Sequence, residues 1–290
     1  MILELLSVVA PVFIVALIGL VWARSGAHFD ELSISRLVLN VGVPCLLFRS
    51  LTTIDVPPAV LATMAGLAAA AMSTFAIAGL LVLKAMKLPA HTFLGPLVFT
   101  NSGNLGLPVC LFAFGEPGLA LGMAYFAVSS TCHVVLGGPL SSGTFSVRPL
   151  FRSPLTWAVV VTVGVIALRL PVPLWIARTT TLLGDIAIPL MLLTLGVSLS
   201  NMHPESLGRT VTLSFLRLGI GVSTGLVLTT LLGIDGLTRK VLILQASMPV
   251  GVLNYLFAHR YARTPEQVAS LVLVSTVLSV FSIPVLLAWL

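Results

Sequence analysis

Apolar residues run along the chain in blocks of about twenty, separated by charged residues, prolines and glycines. The blocks lie at approximately 2–23, 32–53, 57–83, 90–114, 117–140, 153–170, 174–200, 210–233, 238–259 and 265–289. A hydrocarbon core about 30 Å thick takes roughly 20 residues of helix to cross. The pattern therefore predicts ten transmembrane helices joined by short loops, with no soluble domain. The first block carries Glu4 in place of a basic leader and no small-residue cleavage site follows, so it reads as a first membrane helix. The longest candidate linker, 141–152, falls near the middle of the chain.

Composition sharpens this picture. Of 290 residues, 58% are hydrophobic and 8% charged, and mean hydropathy is +1.12. A soluble domain carries about 25% charged residues; a chain with so few cannot cover itself against water and must face lipid. The net charge of +6 is spread singly and in pairs, which suits topology signals and offers no basic face for nucleic acid. Loops after odd-numbered helices hold Arg24, Arg36, Lys84, Lys87, Arg148, Arg152, Arg209, Arg217, Arg260 and Arg263, with Arg217 read as snorkelling to that interface. The other side holds Arg49, Arg169, Arg178, Arg239 and Lys240. The richer side is expected in the cytoplasm, which places both termini outside. Cys45, Cys110 and Cys132 lie inside apolar blocks without metal-ligand spacing and are expected as free thiols.

The midpoint linker prompts a search for a repeat. Of 18 prolines, four follow an amide or carboxylate side chain by four residues: Asn40/Pro44, Asn104/Pro108, Asp185/Pro189 and Gln245/Pro249. They fall in helices 2, 4, 7 and 9, the second and fourth of each five-helix half. Equivalent members are 145 and 141 residues apart. Pro11 with Pro154, Pro117 with Pro265, Pro139 with Pro284, and Ser129-Ser130 with Ser275-Thr276 echo the same spacing. Because five is odd, the second half must enter the membrane in the opposite sense. The expected architecture is an all-α integral membrane fold of two inverted five-helix repeats, 1–140 and 153–290.

A proline within a helix removes one donor and displaces the carbonyl four residues earlier. In hydrocarbon each freed group costs several kcal/mol unless something satisfies it. Helix 4 compounds the break with Thr100-Asn-Ser-Gly-Asn-Leu-Gly-Leu-Pro108, and helix 9 with Gln245-Ala-Ser-Met-Pro-Val-Gly-Val-Leu-Asn254. Two such breaks crossing at mid-membrane would aim half-helix N-termini, each with roughly half a positive charge, into one cavity suited to an anion. The plainer alternative is a pair of packing kinks. The expected substrate contacts are Asn101, Asn104, Pro108, Gln245, Pro249 and Asn254. Asp185 is the one acid clearly inside an apolar block, where insertion costs about 2.5–3.5 kcal/mol; it would carry a coupling proton or pair with an arginine, Arg178 being nearby. Asn40 is its counterpart, expected to satisfy the helix 2 kink. Arg49 would be a solvated end charge or steer anions, and His133 a packing residue or a titrating gate. No nucleophile, base and orienter stand at a recognisable spacing, so no enzyme, metal or cofactor is expected.

The stretch Asn101–Pro108 resembles the fourth-helix motif of the auxin efflux carrier family, and Leu244–Pro249 with Phe257, Ala258 and Tyr261 its ninth. Asn40–Pro44 is similar to its second helix, and Ser275–Ser279 with Pro284 to its tenth. The resemblance spans the chain, without the long hydrophilic loop of the plant exporters, and so points to the short bacterial type. It implies a fold like that of sodium/proton antiporters and bile-acid symporters, with crossed broken helices 4 and 9. In such a fold helices 1, 2, 6 and 7 form a scaffold, usually dimeric, and helices 3–5 and 8–10 a moving transport domain. It further implies elevator-type alternating access in the plasma (inner) membrane and a small organic carboxylate substrate such as an auxin-like acid, malate or malonate. Asn101 is the first residue to carry over as a substrate contact. A proton- or sodium-coupled exchanger using Asp185 and a non-transporting membrane sensor stand as alternatives.

Overall fold

The structure is a computed structural model describing residues 2–26, 28–54, 56–142, 148–202 and 205–290, without the side chains of 2–4 and 138–142. Asp55, the side chain of Glu4 and the centre of the expected linker lie outside the described residues. Those described form helices: α1 (Ile2–Arg24), α2 (Glu31–Leu37), α3 (Val43–Thr52), α4 (Pro58–Ala85), α5 (Ala90–Val98), α6 (Leu107–Ser142), α7 (Arg148–Arg152), α8 (Pro154–Ala167), α9 (Leu174–Asp185), α10 (Ala187–Ser200), α11 (Leu207–Leu231), α12 (Gly236–Ala246), α13 (Leu253–Arg260) and α14 (Pro265–Trp289). Among the described residues, seven helical stretches are long and apolar enough to cross a membrane. Cys45, Cys110 and Cys132 are free thiols.

The difference from ten blocks lies where helices break. Residues 90–114 form α5, a non-α stretch and the start of α6, while 238–259 form the short pieces α12 and α13. The 153–170 block yields the 14-residue α8. Helix α6 is two helices meeting at Gly115, whose non-helical φ of 66° suits a residue without Cβ, so the expected boundary between 114 and 117 stands.

All four prolines with an amide or acid four residues earlier coincide with an interruption. Before Pro44, Val38–Gly42 widens into a π-helical turn, with the Val43 amide donating to the Val38 carbonyl. Before Pro108, Ser102–Gly106 does the same, and Gly106 reaches back five residues to Asn101 O at 3.0 Å. Before Pro189, α9 stops at Asp185 and α10 begins at Ala187. Before Pro249, α12 ends outright at Ala246. Widening the turn by one residue is how a helix accommodates a proline's missing donor while keeping its direction.

Glycines set how closely the helices pack. A Cβ at Gly196 of α10 would stand 1.8 Å from the Ala16 carbonyl oxygen of α1, and one at Gly19 2.1 Å from that of Leu193. Gly184 lies against Leu46 of α3, and Gly221 of α11 puts its would-be Cβ 2.2 Å from the Ala246 oxygen. Without a hydrophobic drive between helices in lipid, such backbone-to-backbone contact supplies much of the association energy. The faces turned away are apolar, as with Leu17, Val21 and Trp22 on α1 and Trp157, Val160 and Val161 on α8. At the entry to α2, Asp30 Oδ1 accepts the Ser33 amide at 3.1 Å, and Ser33 holds that carboxyl below the usual carboxylate range.

Gly196→Ala is expected to lower the thermal unfolding midpoint in detergent by several degrees, since its methyl must displace backbone. Gly66→Ala in α4, with nothing within 4 Å of its Cβ, should be neutral or slightly stabilising. Equal midpoints for the two variants would show that the α1–α10 contact does not limit stability.

Candidate functional site

The breaks after α5 and α12 meet. Phe99 leaves α5 in an extended conformation, and Thr100 and Val250 form an isolated antiparallel bridge. The Asn101 amide donates to Pro249 O at 2.7 Å, and the Gly251 amide to Phe99 O at 3.1 Å. The Val250 amide donates to Ser275 Oγ of α14 at 3.1 Å. Asn254 closes the arrangement, its Nδ2 donating to Phe99 O at 2.9 Å and Gly251 O at 2.8 Å. Backbone groups freed by each break are thus satisfied by the other, as an environment without water demands. Gly251 permits the approach; a Cβ there would stand 2.9 Å from Thr100 O.

A cavity of about 110 Å³ lies beside the crossing. The helix that begins at Ser102 and the helix α13 both present their N-terminal residues to it, through Ser102, Gly103 and Asn104 on one side and Val252 and Leu253 on the other. Each terminus has amides without intrahelical acceptors and the positive end of a dipole. Asn101 also lines the cavity; it is 4% exposed, and its Nδ2 has no acceptor among the described residues. His133 forms part of the wall, stacked on Phe99 with ring centroids 4.1 Å apart and tilted against Phe257 at 5.2 Å. Glu31, Ser35 and Ser198 lie along the same cavity, with Ser198 donating to Glu31.

The expected site residues divide. Asn101 and Asn104 face the cavity. Pro108 is buried at the start of α6, and Pro249 contributes its carbonyl to the crossing. Gln245 is fully buried outside the cavity lining, with Nε2 3.5 Å from Cys110 Sγ and its head against Gly106 and Gly122. Asn254 spends its amide on the crossing itself. Asn40 is exposed on the π-helical turn, away from the cavity lining.

Asp185 pairs with an arginine, but not with Arg178. Arg49 Nη1 reaches Asp185 Oδ1 at 2.8 Å, and Nη2 reaches Glu116 Oε1 at 2.7 Å. The guanidinium is 20% exposed and the Asp185 side chain 56%. Arg49 is therefore a paired charge that ties α3 to α9 and to the kink of α6, and not a solvated end charge.

Residues 138–287 match the profile of a family described as membrane transport protein. The chain belongs to this family, the auxin efflux carriers. Across 95% of its own length and 95% of the relative's, the carrier is 29% identical to an uncharacterized transporter of Methanothermobacter thermautotrophicus. It is 26% identical to an uncharacterized transporter of Methanocaldococcus jannaschii over 65% of this chain and 64% of that one.

One polar residue of the carrier contradicts its expected place. Arg217 does not snorkel: it is 1% exposed, its guanidinium 4.4 Å from the centre of the Phe75 ring, with Nη2 donating to Ala246 O at 3.1 Å. Its Nε and Nη1 have no acceptor among the described residues. The sequence does hold a signal for this. Thr210, Ser214, Arg217, Gly221 and Thr224 fall on one helical face and are all buried, whereas a snorkelling arginine stands among lipid-facing apolar residues.

Asn254→Ala would leave two buried carbonyls without their side-chain donor, at a cost of about 1–3 kcal/mol. Its unfolding midpoint in detergent should fall clearly, and Asn254→Asp, which also removes the donor, should not recover it. Asn104→Ala, at a half-buried cavity position, should leave the midpoint nearly unchanged.

Proposed function

We propose that this carrier moves small organic carboxylates, binding the anion at the crossing of the two broken helices. The observation that carries the reading is the convergence of two helix N-termini and the buried Asn101 amide on one cavity. Donors and positive dipole ends there suit a carboxylate, the cavity's own acid, Glu31, being taken up by Ser198. The cavity is small, about 110 Å³, room for several waters. That favours acids of the size of malonate or malate over an indole acid.

Delivery is by elevator-type alternating access, in which helices 3–5 and 8–10 carry the site past a scaffold of helices 1, 2, 6 and 7. The ten-span inverted plan underlies this reading. Its supports are the four interrupted helices at repeat-related prolines and the contact of Arg217 with Phe75, 142 positions earlier. The scaffold reading draws on the tight α1–α10 and α3–α9 contacts, and such scaffolds form homodimers. The Glu31 and Ser198 end of the cavity is cytoplasmic if the basic loops lie inside. Arg49 with Glu116 then closes the outer end, and the protein resides in the plasma membrane with its termini outside.

Asp185 serves in this reading as a partner of Arg49 and not as a coupling site. Asp185→Asn should leave the pH dependence of transport unchanged; loss of that dependence would favour the proton-coupled exchanger.

Thermal stabilisation of the purified protein by a panel of mono- and dicarboxylates tests the binding site. A ligand present at 100 times its Kd adds about 2.7 kcal/mol, a shift easily seen. Asn101→Ala and Asn104→Ala should reduce the shift well below that of Asn40→Ala. Small, equal effects at all three positions would make the breaks packing kinks.

A further inference from the structure

Arg217 is a buried cation that the binding reading leaves unexplained. Its helix is brought against the end of α12 by Gly221, one turn further on, where a Cβ would stand 2.2 Å from the Ala246 oxygen. That oxygen accepts from Arg217 Nη2 at 3.1 Å. Among the described residues two other guanidinium nitrogens lack acceptors, the buried Tyr125 hydroxyl and Thr100 Oγ1 lack partners, and Gln245 Oε1 lacks a donor. Among the described residues no carboxylate pairs with Arg217.

The four helix ends at the crossing give this cation a meaning. The C-termini of α5 and α12 each carry about half a negative charge, and the N-termini at Ser102 and Leu253 about half a positive one. The dipole ends sum to zero, so Arg217 gives the assembly one net positive charge. It stands at the negative end of α12 and quenches it, so the two positive ends at the cavity face only Glu31 of α2, which is bonded to Ser198 and lies outside the moving helices.

We propose that Arg217 fixes both the charge of the substrate and the mode of transport: the crossing accepts one negative charge, and anions are exchanged faster than they move alone. This rests on the carrier reading above. With a monoanion bound, the buried crossing is neutral. Without it, the crossing carries one uncompensated charge through hydrocarbon, which slows the empty return. Monocarboxylates and singly protonated dicarboxylates are therefore preferred over dianions.

The test uses the full-length protein in liposomes, with labelled pyruvate as a monoanion and labelled malonate as a dianion at neutral pH. Uptake of pyruvate into vesicles preloaded with unlabelled pyruvate should exceed uptake into unloaded vesicles by about tenfold or more, and malonate should be taken up far more slowly. Exchange should ignore an imposed membrane potential, while net uptake responds to it; this needs no variant. Arg217→Met should bring the ratio of exchange to net uptake close to one, and Arg217→Lys should keep it high. A purely structural capping role would lower the stability of both variants and leave the ratio alone. Equal exchange and net uptake in the wild type would overturn the proposal while leaving the carrier reading intact. Binding of either acid without movement in any condition would sink both.

Discussion

Hydrocarbon offers no hydrogen bonds, so a polypeptide that breaks a helix inside it must supply partners for every group it frees. The crossing at Thr100 and Val250 is the carrier's answer, and much of its polar interior serves that crossing. Phe99 and Gly251 give up their carbonyls to Asn254, Pro249 accepts from Asn101, and Ser275 of α14 receives the Val250 amide. Three segments distant in sequence are thereby tied at one point. The glycine contacts allow helices close enough for these short bonds to form. An open cavity beside two broken helices is tolerable because the backbone around it is already satisfied.

The same breaks create the electrostatics. An unbroken helix keeps its dipole ends near the interfaces, where water screens them. A broken one brings an opposite pair to mid-membrane, where screening is weak. Here the positive pair meets the cavity, while the negative end of α12 meets Arg217. The Phe75 ring, 4.4 Å from the guanidinium, adds a second, directionless stabilisation. Separation of sign across a few residues is thus built from backbone and one side chain, without an acidic cluster.

What could be read from the chain was what is local to it. A proline four residues after an amide or acid marks an interruption each time, because the lost donor and displaced carbonyl are consequences of one residue. Residues Asn101 and Asn104 were legible as cavity residues for the same reason. The kind of interruption was not: the π-helical turn at Val38–Gly42 keeps the helix going, while residues 99–101 and 247–252 leave it, and neighbouring helices decide between these outcomes. Pairings were hidden as well. Asp185 has Arg178 two turns away yet binds Arg49, 136 positions distant. Arg217 looked like an interfacial charge because its depth depends on Gly221 and Phe75, which only packing brings to it. Gln245 and Asn254 read as ligand contacts because an amide in an apolar segment signals a need for partners, not which partners it finds. Family membership supports transport in general and says nothing of the charge or size of the cargo.

The crossing also governs how the molecule is made. Phe99 leaves the ribosome 155 residues before Asn254, a delay of roughly 8–30 s at about 5–20 residues per second. During that interval the first half holds a broken helix whose exposed carbonyls have no partner in the chain. Insertion machinery or water must shelter it until the second half arrives, and neither half is a finished unit when synthesised alone. The two halves of the gene are bound to one another by the backbone chemistry of a three-residue gap.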